Sequence, residues 1–299
     1  MEEIKKTTIE DKNYPKVLKG IKGAPEILYY RGEIFPEENC FAIVGTRMCS
    51  NYGKEIALEI AGNLSEAGLT IVSGLAPGID TFAHLAVVER KKRTIAVLGT
   101  GVNEKSIYPQ SNLKLAQKIL ETGGALISEY PPGTPGSKFT FPQRNRIISG
   151  LSWGVLVVEA KPPLPKFGVG AGKKVGSGAL ITANWAKKQG RKIFAIPGPI
   201  HSLNSKGCHY LIKNGAQLVE NANDILRELG LSTLPGYVVE GETKEENLIL
   251  LALKEEPLYI DKIIEKTKLS AAKVASTLAV LEIKGQIRNL GANIYALSR

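Results

Sequence analysis

The chain has 299 residues, of which 43% are hydrophobic and 23% are charged. This length predicts two domains, and the composition is typical of a soluble globular protein, which excludes the disordered and membrane classes. The sequence contains neither a long apolar run nor a secretory leader pattern, so we expect a cytoplasmic protein without membrane association. Three widely spaced cysteines, Cys40, Cys49 and Cys208, indicate packing residues and neither a disulfide framework nor a metal site.

The net charge of +10 is concentrated in one segment. From Lys138 to Lys192 the chain carries eleven basic residues and one acid, Glu159, and eleven minus one already equals the whole net charge. A localised basic field of this kind predicts a polyanionic partner, most often nucleic acid. The alternative is a solvated basic face that only keeps the protein soluble.

Residues 1–40 contain too few apolar residues for a core of their own, and we expect this lead-in to pack on the domain that follows. From residue 41, short apolar strands alternate with amphipathic helices. The predicted strands are FAIVG (41–45), LTIVSG (69–74), TIAVLG (94–99), ALISEY (125–130), WGVLVVEA (153–160), KIFAIPG (192–198) and AQLVE (216–220). This alternation predicts an α/β domain over 41–229 with a doubly wound, mostly parallel sheet, in which ligands bind at the carboxyl ends of the strands.

A Gly- and Pro-containing stretch at 230–243 indicates a linker to a second, smaller domain. The segment 244–299 shows three short helical patterns followed by a hairpin pattern, which predicts a winged helix. Ser270 is placed to cap its third helix.

The basic, aromatic segment KFTFPQRNR gives the strongest local signal for a binding site. Pro142 fits the first turn of a helix that continues through IISGL, which would place Arg144, Asn145 and Arg146 in that turn, where cations are unfavourable unless an anion is bound. Phe139 or Phe141 would offer a flat face on which an unpaired base stacks. The alternative is that both rings are core residues that hold the loop.

The segment VGTR ends the first predicted strand, so the backbone N–H groups of Gly45, Thr46 and Arg47 could receive a phosphate. Alternatively, the glycine serves only the turn. On the predicted helix that follows GLAPGID, Asp80 and His84 lie four residues apart. They could form an acid–base pair, or Asp80 could complement the helix dipole while His84 is a hydrogen-bonded, half-buried ring.

Nine segments in fixed order resemble the DNA-processing protein A family, also called DprA or Smf, over about residues 13–228. They are VGTR, VSGLAPGIDTFAH, TIAVLGTGVN, ISEYPPG, FPQRNRIISGLS, VVEA, SGALITANWA, FAIPGPI and GCHYLIKNGA. The resemblance implies an extended Rossmann-like domain that binds and protects single-stranded DNA without sequence preference and loads the RecA recombinase on it, notably in natural transformation. It also implies a homodimer without catalytic activity or cofactor.

By this resemblance, Arg47 and the FPQRNR loop with Lys138 line a DNA pocket, and Ser177 and Gly178 begin a helix whose N–H groups face phosphate. The chain departs from the family pattern in an insert at 161–176, KPPLPKFGVGAGKKVG, between VVEA and SGALITA. Its lysines, which include Lys173 and Lys174, suggest a basic flap over the DNA groove. A surface loop without a role is the alternative. The insert fails as a phosphate-binding P-loop, since Lys174 stands where Ser or Thr is required.

Two other functions compete with single-strand binding. Rossmann-like nucleotide phosphoribohydrolases share an arginine helix and a glycine-rich segment, but they need the glutamate of PGGxGTxxE, and the matching stretch GSGALITANWA has no acid. A duplex reader would work through the winged helix. That segment carries nine basic and seven acidic residues, and its third helix offers only Lys273 and Lys284, which is meagre for base readout. Single-strand binding is therefore the preferred interpretation.

Overall fold

The computed structural model describes residues 3–163, 177–234, 241–254 and 256–297. The chain divides into two compact units, 1–234 and 235–299, each with its own hydrophobic core. Among the described residues, no helix is both long and apolar enough to span a membrane.

The described residues of the first unit form a nine-stranded sheet. In chain order the strands are β1 (Lys5–Thr8), β2 (Ile27–Gly32), β3 (Cys40–Val44), β4 (Thr70–Ser73), β5 (Thr94–Leu98), β6 (Ala125–Ser128), β7 (Gly154–Val157), β8 (Lys192–Ala195) and β9 (Gln217–Leu218). Their order across the sheet is β1-β2-β6-β5-β4-β3-β7-β8-β9. The strands from β3 to β9 pair in parallel, which confirms the predicted mostly parallel sheet.

Helices cover both faces of this sheet. In chain order they are α1 (Lys16–Lys19), α2 (Asn51–Glu66), α3 (Ile79–Glu89), α4 (Leu113–Glu121), α5 (Thr140–Leu151), α6 (Gly178–Lys188), α7 (Leu203–Lys213) and α8 (Ala222–Glu228). Alternate residues of β3 enter different cores: Ala42 and Val44 pack in the cluster that includes α5 and α6, whereas Phe41 and Ile43 pack in the cluster that includes α2 and α3. Burial on both faces explains why the strands are continuously apolar, and the doubly wound architecture is confirmed.

Two segments of the N-terminal lead-in, within the described residues 3–40, belong to the sheet. β2 pairs antiparallel with β6, and β1 pairs antiparallel with β2. The sequence did not predict these two strands because KKTT and ILYYRG carry mixed polar and apolar residues, and both strands are buried less uniformly than the central parallel ones.

The second unit contains three helices and a three-stranded sheet among its described residues. They are α9 (Lys244–Ala252), β10 (Leu258–Tyr259), α10 (Ile260–Thr267), α11 (Ala271–Ile283), β11 (Ile287–Gly291) and β12 (Ile294–Leu297), with the sheet order β10-β12-β11. The Ser270 hydroxyl accepts a hydrogen bond from the Lys273 backbone N–H, as the capping prediction requires. The arrangement is a winged helix, as predicted.

The two lysines that were weighed for duplex readout, Lys273 in α11 and Lys284 directly after it, have acidic neighbours. Lys284 Nζ lies 2.9 Å from a carboxylate oxygen of both Glu242 and Glu246, and Lys273 Nζ lies 3.5 Å from Glu245. These ion pairs reduce the positive field that the helix presents, which argues against reading of duplex DNA by this face.

Candidate nucleic-acid interface

The strand order reverses next to β3, which places a crevice at one end of the sheet. From β3 the chain continues through β4, β5 and β6 on one side and through β7, β8 and β9 on the other. In doubly wound sheets the loops that leave the carboxyl ends of the strands separate at such a point and leave room for a ligand. Here the loop after β3 and the loop after β7 border the crevice.

A cavity of about 350 Å³ occupies this crevice. Eight of the thirteen residues that the sequence predicted for the site line it: Gly45, Thr46, Arg47, Phe141, Arg144, Asn145, Ser177 and Gly178. They come from the loop after β3, from α5 and from the start of α6. Residues that are far apart in sequence therefore meet at one place.

The loop after β3 is held by backbone hydrogen bonds and presents Arg47 to solvent. The Thr46 N–H donates to the Glu159 carbonyl oxygen over 2.8 Å, and the Ile79 N–H donates to the Thr46 carbonyl oxygen over 3.2 Å. The exposed Arg47 guanidinium carbon lies 5.7 Å from the centroid of the Phe141 ring. A cation over the face of a ring is a favourable arrangement, and it leaves the guanidinium charge at the cavity wall.

Glu159, the only acid in the basic segment, has a structural role. Its carboxylate accepts from the Ser50 backbone N–H over 2.9 Å and from the Ser50 hydroxyl over 2.6 Å, while that hydroxyl caps α2 by accepting from the Gly53 N–H over 3.1 Å. The buried negative charge therefore lies at the N-terminus of α2, where the helix dipole favours it. The contact ties the loop after β7 to the loop after β3, so it fixes both walls of the crevice.

The start of α5 differs from the prediction. The helix begins at Thr140, two residues before Pro142, because the Ser137 hydroxyl accepts from the backbone N–H groups of Phe139 and Thr140 over 3.2 and 3.1 Å. The arginines therefore lie in the second turn, and the expectation that Arg144–Arg146 occupy the first turn is wrong. Because the arginines are not in the first turn, the argument that a bound anion relieves their conflict with the helix dipole no longer applies.

Arg144 lies almost completely inside the protein, with 4% of its surface exposed. Its Nη1 donates to the carbonyl oxygens of Gly74, over 2.6 Å, and of Val97. Burial lowers the pKa of Arg144 to about 10, and the carboxylate of Asp80 opposes this shift. Arg144 lines the cavity, as predicted, but its guanidinium bonds within the protein and holds α5 against the ends of β4 and β5.

Arg146 points away from the cavity and is held in an ion pair. Its Nη2 lies 2.5 Å from Glu129 Oε1, its Nη1 donates to Glu129 Oε2 over 2.8 Å, and its Nε donates to the Gly23 carbonyl oxygen over 2.9 Å. This two-point contact with a carboxylate neutralises the charge and fixes the side chain. Arg146 therefore joins α5 to the N-terminal segment, and the expectation that it lines the pocket is wrong.

Asp80 and His84 do not form an acid–base pair. Asp80 accepts from the Gly74 N–H over 3.1 Å, and burial raises its pKa while Arg144 opposes the rise. The Thr94 hydroxyl donates to the Ile71 carbonyl oxygen, so it accepts from Nδ1–H of His84 over 2.8 Å. Burial, together with the charge of Arg144, lowers the pKa of His84 to about 3. His84 is therefore a neutral core residue.

The two phenylalanines of the loop lie in different environments. Phe141 is half-buried in the cavity wall, with its ring centroid 5.4 Å from that of Tyr108. Phe139 is 67% exposed outside the cavity, and Lys138 Nζ lies 5.2 Å from its ring centroid. Only Phe141 is part of a packed wall, so the two rings differ in what they offer to a ligand.

The first residues of α6 form the opposite wall of the cavity. Ser177 is the N-cap, and the helix begins at Gly178, as expected from the sequence. Asn145, which is 8% exposed, donates from Nδ2 to the Gly178 carbonyl oxygen over 3.2 Å and accepts from Arg144 Nε over 3.2 Å. Asn145 therefore links α5 to α6, and the positive end of the α6 dipole faces the cavity.

Lys173 and Lys174 lie outside the described residues, as does most of the insert. Lys161, the first residue of the insert, lines the cavity although it was not among the predicted contacts. Its position directly after VVEA, at the carboxyl end of β7, is the sequence feature that could have predicted this contact. No sequence feature predicted that Ile181 and Thr182 line the cavity, because the packing of a helix decides which of its residues face a cavity.

Comparison with known proteins assigns the chain to a family. The model of the DNA recombination-mediator protein A family matches residues 5–230, which is most of the chain. The chain belongs to this family. A second model, the DprA winged helix domain, matches residues 239–293, the smaller unit.

Individual relatives of this family member support the assignment. Protein Smf of Escherichia coli is 38% identical over 297 aligned residues, which cover 96% of this chain and 75% of that protein. The crystal structure of DNA processing protein A from Streptococcus pneumoniae has a TM-score of 0.65 and 41% identity, covering 75% of this chain and 74% of that one. The DNA processing protein A of Helicobacter pylori, described for its single-stranded DNA binding mode, has a TM-score of 0.62 and 28% identity, covering 77% and 98%.

The phosphoribohydrolase alternative is not favoured. Among the lining residues of the cavity, the acid is Asp80, and its carboxylate is committed to the Gly74 N–H and to the neighbouring charge of Arg144. Glycosidic cleavage needs a carboxylate that can contact the sugar. The stretch GSGALITANWA, which includes the start of α6, has no acid.

Proposed function

We propose that the protein binds single-stranded DNA without sequence preference in the cavity at the carboxyl ends of β3 and β7. The observation that carries this proposal is the joint placement of Arg47, the half-buried Phe141 ring and the N-terminus of α6 around one cavity. A guanidinium and a helix N-terminus suit phosphates, and an aromatic ring suits any base, since every base has a π-face.

Each wall has a distinct part in this proposal. Backbone N–H groups of the first turn of α6 receive phosphate oxygens, and the Arg47 side chain neutralises one phosphate. Thr46 holds the loop in place, because its N–H donates to the Glu159 carbonyl oxygen. Phe141 stacks on a base inside the cavity. Lys138 and Phe139, both exposed beside the cavity, contact the strand as it leaves. Arg144 and Asn145 act as positioning residues, because their polar atoms bond within the protein.

The Helicobacter pylori relative is described for its single-stranded DNA binding, which supports the choice of ligand, and the family of recombination mediators supports the biological role. In that role the protein protects exposed or incoming strands in the cytoplasm and loads RecA on them, acting as a homodimer without catalytic activity. The basic insert with Lys173 and Lys174 is proposed to extend the interface. Deletion of residues 162–174 tests this last element: unchanged affinity and an unchanged salt slope would contradict it.

Binding is tested by fluorescence anisotropy with labelled 20–30-nucleotide single strands and with duplexes of the same length, at two salt concentrations. We expect single strands of different sequence to bind alike and more tightly than duplex, and the affinity to fall as salt rises because counterions are released. Equal or tighter binding of duplex would contradict the proposal.

The role of Arg47 is tested with Arg47→Gln, for which we expect affinity to fall about tenfold and the salt slope to fall by about one. Lys118→Gln is the matched control, because it removes the same charge from an exposed position on α4 that does not line the cavity. If both variants bind like the parent chain, the cavity is not the site.

RecA loading is tested separately. The parent chain should shorten the lag of RecA filament assembly on single strands coated with single-strand-binding protein. Arg47→Gln should restore the lag. A parent chain that binds DNA but leaves the lag unchanged would retain the binding proposal and remove the mediator role.

A further inference from the structure

A second cavity of about 300 Å³ adjoins the central one. It is lined by Pro142, Gln143, Ile181, Asn184, Trp185 and Lys188. Pro142 and Ile181 line both cavities, so the two lie on either side of the contact between the start of α5 and the middle of α6. A chain that occupies the central cavity and passes over this contact enters the second one.

The second cavity offers an indole ring whose face a ligand can reach. Trp185 is half-buried in the wall, and Lys188 Nζ lies 4.8 Å from its ring centroid, one helical turn further along α6. The Lys188 side chain is exposed. When its ammonium group moves from the ring to a nearby anion, the part of the indole face beneath it is uncovered.

Polar groups at the rim complete the match to a nucleotide. The Tyr130 hydroxyl donates to Gln143 Oε1 over 2.9 Å, which leaves the Gln143 amide nitrogen as the donor toward the cavity. Asn184 is exposed on the other side. These amides can contact the edge of any base, while Lys188 offers a charge for the phosphate next to it.

We propose that Trp185 and Lys188 form a flanking subsite, in which a base of the strand held in the central cavity stacks on the indole ring and its neighbouring phosphate contacts the ammonium group. This inference rests on the proposed function, because the occupant is the continuation of the same single strand. The basic segment supports the path, since Lys187 and Lys188 are exposed at the C-terminal end of α6.

The test measures affinity against the length of oligothymidylate, from 2 to 12 nucleotides. Trp185→Ala should weaken the binding of the longer strands by about 5- to 150-fold and leave that of the shortest bound strand unchanged, because only the longer ones reach the indole ring. Trp185→Phe, which keeps a ring, should lose less. Lys188→Gln should reduce affinity for the longer strands more than Lys187→Gln, a matched control outside the cavity lining.

Fluorescence gives an independent readout. The chain has two tryptophans, so Trp153→Phe leaves Trp185 as the single emitter. Its emission should be quenched by the 12-mer and not by the shortest bound strand. Thermal melting checks that each variant is folded.

The outcomes separate the two proposals. If the parent chain binds none of the strands, the proposed function and the subsite both fail. If the parent chain binds, Arg47→Gln weakens binding, and yet Trp185→Ala binds all lengths normally with no quenching of Trp185, only the subsite is overturned.

Discussion

Arg144 Nη1 and the carbonyl oxygen of Gly74 form a buried 2.6 Å hydrogen bond that joins α5 to the end of β4. A Cβ atom on Gly74 would lie 2.5 Å from the same Nη1 atom, so the absence of a side chain at residue 74 is what admits the guanidinium. The glycine of VSGLAPG and the arginine of FPQRNR are therefore two halves of one contact. This contact fixes how closely the helix α5 packs on the sheet.

Gly74→Ala should destabilise the first unit by about 1–3 kcal/mol, because the added methyl group and the guanidinium cannot share the space and a buried charge loses its partner. Urea unfolding followed by circular dichroism measures the free energy of unfolding. Gly20→Ala is the matched control, because a Cβ there would lie at an ordinary 3.7 Å from the Val17 carbonyl oxygen. Equal stability of the two variants would show that Arg144 is not confined as described.

Glu159→Gln should reduce the free energy of unfolding by about 2 kcal/mol. The substitution keeps the shape of the side chain but removes the negative charge at the N-terminus of α2 and places an amide N–H₂ among the donors of Ser50. Thermal and urea unfolding measure the loss. The matched control is Glu121→Gln, at an exposed position at the end of α4, which should change stability by less than about 0.5 kcal/mol. A similar small change for Glu159→Gln would contradict the capping role.

The lowered pKa of His84 predicts that the free energy of unfolding decreases as pH falls. Its pKa is lowered to about 3 in the folded protein, against an ordinary value of 6.5, so between these pH values the unfolded chain binds a proton that the folded chain does not. The contribution of His84 is therefore present at pH 7 and decreases as pH falls, by about 2 kcal/mol between pH 7 and pH 5. The raised pKa of Asp80 acts in the opposite sense above its ordinary 3.8, because the folded chain then holds a proton that the unfolded chain does not, so the comparison with a His84 variant is needed to isolate the histidine.

Measurement of unfolding free energy at several pH values tests this prediction in the parent chain and in His84→Gln. The variant should show a shallower decrease between pH 7 and pH 5. His201→Gln, which alters an exposed histidine, should keep the slope of the parent chain. The prediction fails if His84→Gln and the parent chain have the same slope.

Phe139 and Phe141 should respond differently to truncation. Phe139→Ala should leave stability within about 0.5 kcal/mol, because the ring is 67% exposed, and any loss of DNA affinity then reports lost contact with the strand. Phe141→Ala should cost about 1–3 kcal/mol of stability, because the ring packs on Tyr108. Phe141→Leu retains most of the apolar volume, so a loss of affinity in this variant, measured by anisotropy, isolates stacking. Unchanged affinity in Phe141→Leu would remove the stacking role of this ring.

Local patterns predicted most of the sheet. The seven strands from FAIVG to AQLVE and the capping of α11 by Ser270 follow from period and cap chemistry, which depend on near neighbours in the chain. The start of α5 could not be placed by the same reasoning, because both Pro142 and the Ser137–Thr140 turn are acceptable helix starts in sequence. The backbone bonds to the Ser137 hydroxyl decided between them.

The sequence by itself determined the fold class and the family. It also determined which segments meet at the candidate site, because the carboxyl ends of parallel strands lie at the same edge of a doubly wound sheet for any set of side chains. Only the tertiary structure decided which basic residues present their charge. The local sequence does not distinguish the environments of Arg47, Arg144 and Arg146. In the structure Arg47 is exposed, Arg144 bonds to the carbonyl oxygens of Gly74 and Val97, and Arg146 bonds to Glu129. The partners of these side chains lie on other strands and loops. Whether an arginine is exposed or paired is therefore decided only when folding brings those partners close to it.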